Sequence, residues 1–302
     1  MTSLPYRKQR FRDIQKNFET NLVNDLYAEW KIPQDMFEEF KRYIKMFISK
    51  AMNFKFEEDD SLFMKKLDLN RGNRSNITPN GGVSPKREYQ LEYNLLLKSW
   101  SEIMVKLTEN NPRFLKKFRL TPNIRIKFGR ELEENIGRSL DTALPHSDGW
   151  VEGPWGLNCH VPIMGDCNNN YLHFYKLKDE RKFSDEFLNR ATTYDEMKWV
   201  IEHYEDDLIK PKVGYVNISD YVLIHKTQRL PGCGTRISID TTIMIGDHET
   251  HPDRNSEYSN EIPRIGVDLI VGCKLKYGEV ENKKTTYSHY TTGNLVHFKL
   301  EK

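Results

Sequence analysis

The chain predicts a mainly β core of jelly-roll type with a helical region in front of it, and three observations carry that expectation. Up to about residue 120, apolar residues recur every three or four positions, the period of a helix with one buried face. From Ile124 the period drops to two, which belongs to strands. The strand-like runs are short and separated by turn residues, as in an all-β jelly roll. The expected organisation is a helical region over 1–120, part of the same unit, and a β core over 121–302 with a helical insertion at about 183–209.

In the first region, Phe11, Ile14, Phe18, Leu22, Leu26 and Trp30 form one apolar stripe. Pro33 interrupts it and suits the first turn of a second helix, whose stripe is Met36, Phe37, Phe40, Tyr43, Ile44, Phe47 and Ile48. These stripes are expected to pack on the β core, with a homodimer face as the alternative. Asn70 to Lys86 is rich in Gly, Asn, Ser and Pro and has no period, so it reads as a long loop, either a lid or a linker. Tyr93, Leu96, Leu97, Trp100 and Met104 restore helical spacing over 89–107, before Asn111-Pro112.

In the second region, Ile124, Ile126 and Phe128 alternate with Arg125, Lys127 and Gly129, a half-buried strand. Residues 130–142 are polar and are expected to loop over a site mouth. Strands follow around His146, over 157–163 and over 171–177. After the insertion, strands are expected over 213–218, 221–224 and 235–245, with a last one near 295–300.

Composition limits the function classes. The chain has 302 residues, 37% hydrophobic, 30% charged and 12% aromatic, with a net charge of +2. That balance points to neither a nucleic-acid surface nor a membrane surface. Four cysteines, Cys159, Cys167, Cys233 and Cys273, make no CxxC pair and read as reduced thiols. The N-terminus lacks the apolar core of a signal peptide, and no run is long enough to span a bilayer. A cytoplasmic protein is expected.

The chemistry concentrates between Ala143 and Ile245. His146 and Asp148 are separated by one residue, and in an extended strand such residues share a face. His225 follows an apolar run, Arg236 comes eleven positions later, and Ser238 lies two beyond that. Two imidazoles and a carboxylate on one face, with open positions opposite, hold non-haem iron(II). An arginine and a hydroxyl on one strand face suit the far carboxylate of an organic diacid. Two other triplets of this type occur. His203-Tyr204-Glu205 falls in a helical stretch by period, and His251-Pro252-Asp253 falls in a polar loop. Neither is followed by the rest of the set.

His146-Ser147-Asp148, His225 and Arg236-Ile237-Ser238 together resemble the iron(II)/2-oxoglutarate-dependent oxygenases, over roughly the last 180 residues. The resemblance implies a double-stranded β-helix in which His146, Asp148 and His225 ligate iron(II) and Arg236 and Ser238 bind 2-oxoglutarate. It also implies O2 as a co-substrate, with succinate and CO2 released. Halogenating relatives replace the carboxylate with a small residue, so Asp148 implies hydroxylation. Within the superfamily, Gly156 to Ile163 and Asn170-Tyr171-Leu172 are similar to hydroxylase-like proteins of aminoglycoside clusters. Cys159 and His160 depart from the aromatic residues usual there. That likeness points to a saccharide, aminocyclitol or amino-acid-like substrate.

Asn158 and His160 share a strand face and are expected to point inward toward the co-substrate or substrate, Asn158 as a co-substrate residue, with a satisfied polar pair in the core as the alternative. Trp150 and Trp155 are read as packing, with a wall at the mouth as the alternative. His173 and Cys233 are assigned no role. Two other functions compete with the oxygenase: a non-redox cupin-type metal enzyme such as a sugar isomerase or epimerase, and a non-catalytic binding protein. Arg236 and Ser238 separate the first from the oxygenase, because a barrel that never binds 2-oxoglutarate has no use for them.

Overall fold

The computed structural model describes residues 2–118, 121–130, 142–245, 274–276 and 299–301. The helical region contains α1 (Leu4–Phe18), α2 (Gln34–Ala51), α3 (Asp60–Leu69) and α4 (Gln90–Leu107). Of the first stripe, Phe11, Ile14 and Phe18 are buried on α1. The helix then ends, with Glu19 in the left-handed region at φ 53°. Leu22, Leu26 and Trp30 do not continue it. They lie in a hairpin of β1 (Asn21–Asn24) and β2 (Tyr27–Lys31). The helical spacing was overridden by a tertiary partner, since β2 pairs along a strand of the β core described below. Pro33 stands just before α2, at the N-cap position. Asp59 caps α3, a helix the period did not show, by accepting a hydrogen bond from the Leu62 amide at 2.8 Å.

The core strands are β3 (Leu115–Phe118), β4 (Asn123–Lys127), β5 (Leu157–Gly165), β6 (Asn170–Leu177), β7 (Tyr204–Asp206), β8 (Tyr215–Asp220), β9 (Ile224–Arg229) and β10 (Arg236–Ile245). Every pairing among them is antiparallel. One sheet runs β1-β2-β8-β5-β10, and the far side of β10 is shared by β4 and β3. The other sheet runs β7-β6-β9 and is extended by His146, which exchanges backbone hydrogen bonds of 2.9 Å with His225. After the β1-β2 hairpin and the helices, the chain places β3 and β4 in the first sheet, His146 in the second and β5 in the first again. It makes β6 and β7 in the second, and then places β8, β9 and β10 in alternate sheets. That alternation is the jelly roll, so the fold class expected from sequence is the one observed.

The apolar face of the first sheet covers the helices. Ile124, Ile126, Ile237, Ile239 and Ile243 belong to the same core as Phe40, Ile44 and Phe47 of α2 and Leu96, Leu97 and Trp100 of α4. Both helical stripes are therefore buried within the chain, and a homodimer through them has no support. No helix among the described residues is long and apolar enough to cross a membrane.

Several expectations differ from the structure. The segment 70–86 is partly ordered against the core: Val83 N donates to Ile124 O at 2.9 Å and Ile126 N to Gly81 O at 2.8 Å. It thus forms a small hairpin along β4, with Ile77 bridging Val83. The insertion 183–209 is not one helix. It consists of 3-10 turns at Asp185–Leu188 and Tyr194–Met197, a single turn at Lys198–Ile201, and then β7. Extended Ser184 and Thr193 restart the chain each time. His203-Tyr204-Glu205 therefore runs into a strand rather than a helix. Tyr221 to Leu223 form a buried turn, tied by Val222 N to Asp220 Oδ1 at 2.9 Å, and the strand starts only at Ile224. The expected loop over the mouth lies outside the described residues from 131 to 141, as does His251-Pro252-Asp253. Of the last expected strand, Lys299–Glu301 is described, and it pairs with Lys274–Lys276.

Candidate metal and 2-oxoacid site

Between the two sheets lies a cavity of about 340 Å³. His146 reaches it from the second sheet, where the bridge to His225 sets the two imidazoles side by side with ring centroids 4.5 Å apart. Asp148 arrives differently from the sequence expectation. The chain leaves the strand after His146, and Asp148 has helical backbone angles at the start of the one-turn helix α5 (Gly149–Glu152). Its side chain still meets both rings, because the turn folds it back. Oδ1 is 3.9 Å from His146 Nε2, and Oδ2 is 3.7 Å from His225 Nε2. The three ligand atoms lie within 4.8 Å of one another.

Neighbouring groups set the state of each ligand. His146 Nδ1 lies 2.7 Å from the Leu144 carbonyl. A carbonyl only accepts, so the proton sits on Nδ1 and the Nε2 lone pair faces Asp148. His225 is held by a hydrogen bond to the Leu223 backbone. Burial, with His225 beside it, pushes His146 well below the usual imidazole range, and burial pushes His225 down to about 4. Both rings are therefore neutral donors near neutral pH. Burial first, then Glu152 and Asp240, pushes Asp148 up to about 8. A lone carboxylate is disfavoured there, and a divalent cation between the three ligands removes that penalty.

Behind the ligands, the first-sheet residues that line the cavity are polar. Arg236 and Ser238 line the cavity from β10 and are 2% and 1% exposed. Among the described residues, Arg236 Nε and Nη1 and Ser238 Oγ find no hydrogen-bond partner. Buried polar atoms of this kind are seldom left unpaired, so their orientation fits an anion from outside the chain. His160 joins them with an unpaired Nε2. Burial, with Arg236 nearby, pushes its pKa down to about 3.

The structure therefore brings together His146, Asp148, His225, Arg236 and Ser238. Asn158 also lines the cavity, but its Nδ2 donates to Asp148 Oδ2 at 2.8 Å. That hydrogen bond engages its amide nitrogen with the Asp148 carboxylate. Trp150 and Trp155 are packing residues: the first donates to Phe187 O at 2.8 Å, and the second lies under the Arg7 guanidinium at 4.2 Å. His173 pairs with Asp206 on the second sheet.

Sequence reasoning missed several lining residues. Asn123, Arg125 and Lys127 alternate with Ile124 and Ile126 on β4 and line the cavity. Their polar face is the interior of the barrel, whereas a half-buried strand implies solvent. Arg125 makes a bidentate pair with Asp240, Nε to Oδ1 at 2.7 Å and Nη2 to Oδ2 at 3.0 Å. Asn80 reaches the cavity from the 76–84 hairpin. Tyr194 stacks on His146 at 4.4 Å and 12°, delivered by an insertion whose path no local pattern shows. The alternation on β4 was the one available signal.

No family model and no curated protein matches the sequence. Among solved structures, one similar chain is described as the non-heme alpha ketoglutarate dependent epimerase SnoN from nogalamycin biosynthesis, with 10% identity, a TM-score of 0.43, and coverage of 80% of this chain and 83% of that one. AviO1 from Streptomyces viridochromogenes Tue57 has 12% identity and a TM-score of 0.41, over 77% of this chain and 94% of its own. An N-substituted L-amino acid dioxygenase from Burkholderia ambifaria AMMD has 12% identity and a TM-score of 0.35, over 80% of this chain and 91% of its own. Likeness this distant decides nothing about chemistry, which rests on the side chains in the cavity.

Proposed function

We propose that the chain is an iron(II)- and 2-oxoglutarate-dependent oxygenase that hydroxylates a C–H bond of a small polar metabolite of the saccharide, aminocyclitol or amino-acid type. One observation carries the reading: a His-Asp-His set opens onto a cavity that also presents polar atoms of Arg236 and Ser238 with no partner among the described residues. A non-redox metal enzyme on this barrel would leave Arg236 buried without a counter-ion, which is costly.

In this reading His146 Nε2, His225 Nε2 and the Asp148 carboxylate hold iron on one side and leave the cavity side open. With 2-oxoglutarate and O2, such an iron supplies an oxidant able to replace C–H by C–OH, releasing succinate and CO2. Arg236 and Ser238 anchor the far carboxylate of 2-oxoglutarate by charge-assisted hydrogen bonds. Asn123, Arg125, Asp240 and Glu152 offer donors and acceptors to a polar substrate.

The test is succinate formation from 2-oxoglutarate with iron(II) and ascorbate, in the wild type and in His225→Ala. The wild type is expected to release succinate even without its true substrate. His225→Ala is expected to lose that release while keeping its circular dichroism. Succinate production that survives the substitution overturns the reading.

A further inference from the structure

Lys127 closes β4 directly across from Arg236 in the strand register, and both line the cavity. Its ammonium donates to Thr142 Oγ1 at 2.7 Å. Among the described residues no carboxylate pairs with it. Asp240, the acid on the neighbouring strand, is taken by Arg125 and by Asn123, whose Nδ2 lies 3.2 Å from Oδ2. Two cations thus stand opposite each other on adjacent strands, with no counter-ion among the described residues. Like charges so placed destabilise a sheet, and burial adds to the cost.

The electrostatics agree. Burial, then Arg125, Arg236 and Arg229, pushes Lys127 well below the ordinary ammonium range. Burial pushes Arg236 down to about 10. An apolar residue in place of either cation would suit the empty fold better. An anion bridging the two removes both penalties at once. Along β4 and β10, Arg125 and Asp240 lie further on, toward Asn123 and Thr242. Lys127 shares the Arg236 end and therefore the ligand group bound there.

Resting on the oxygenase reading above, we propose that Lys127 is a specificity-determining residue of the co-substrate site. With Arg236 it clamps one terminal carboxylate from two strands, so that the site selects a dicarboxylic 2-oxoacid over a monocarboxylic one. Ser238 and Thr142 supply hydroxyls beside the two cations.

The experiment compares 2-oxoglutarate with 2-oxobutyrate, which keeps the chelating 2-oxoacid head and lacks the far carboxylate. Binding to the full chain loaded with cobalt(II) is measured by calorimetry for the wild type, Lys127→Met and Lys127→Arg. Lys127→Met is expected to weaken 2-oxoglutarate by about tenfold or more, as loss of one partner of a buried charge pair does. Its affinity for 2-oxobutyrate is expected to stay within about twofold of wild type. Lys127→Arg should keep most of the 2-oxoglutarate affinity. Ligand-free Lys127→Met should melt no lower than wild type, because it removes a half-buried charge that stands across from Arg236; a lost fold would lower that temperature and both affinities together. Unchanged 2-oxoglutarate affinity in Lys127→Met overturns the proposal, and so does an equal loss for both acids. A wild type that binds neither acid with metal present refutes the oxygenase reading itself.

Discussion

Asn158 shows how much one amide decides at this site. Its Nδ2 occupies Asp148 Oδ2 at 2.8 Å, which fixes the carboxylate while Oδ1 stays toward His146. A ligand freed from such a partner can rotate, or can bind the metal through both oxygens and take up an open position. Asn158→Leu keeps the volume and removes the donor. Metal affinity, measured by cobalt(II) titration, is expected to fall about 10–100-fold, the usual effect of deleting a hydrogen bond to a ligand. An unchanged affinity would mean that the backbone of α5 alone positions Asp148. His146 needs no such side chain, because the Leu144 carbonyl sets its tautomer and Tyr194 stacks on its ring.

At the scale of elements, the hairpin over 76–84 replaces the expected choice between lid and linker. Gly81 has φ +79°, and a Cβ there would lie 2.2 Å from the Ile126 carbonyl oxygen. The hairpin can approach β4 only because that atom is absent. Gly81→Ala is expected to lower unfolding stability by about 1–3 kcal/mol through strain and loss of the contact, read as a lower urea midpoint. It should also disturb Asn80, which reaches the cavity from the same turn. Substrate KM should then rise as well. A wild-type urea midpoint would show that the turn is dispensable to the core.

For the whole molecule, the join between the helical region and the barrel is electrostatic as well as apolar. Arg7 of α1 is buried and pairs with buried Asp220 at 2.9 Å, and Arg10 lies 3.6 Å from the other carboxylate oxygen. Asp220 also accepts the Val222 amide that shapes the turn before β9. Asp220→Ala leaves two guanidiniums buried without their acid, which should cost about 3–5 kcal/mol. Because the helices and strands share one core, unfolding followed by circular dichroism and by tryptophan fluorescence should coincide in one transition. Two separated transitions would show that residues 1–120 fold apart from the barrel.

Local chemistry made the site legible in the sequence. Arg236 and Ser238 are two apart on one strand, so their shared face follows from the pleat alone. His146, Asp148 and His225 were recognised as a set by residue type and order, although the reason given for the first pair was incomplete: a turn into α5, not an extended strand, brings Asp148 back to the rings. The switch in hydrophobic period placed α2, α4, β4 and β10 for the same local reason. The rest depended on partners far away in the chain. Leu22, Leu26 and Trp30 carry helical spacing, yet the open edge of β8 draws Tyr27–Lys31 into a strand. Arg125 and Lys127 alternate like solvent-facing residues, yet the second sheet covers that face and makes it the cavity wall. Asn158 turned out to serve Asp148, and Tyr194 to cover His146, once the folded chain had set them side by side. Periodicity reports which residues share a face, but only tertiary packing decides whether that face meets water, a core or a ligand.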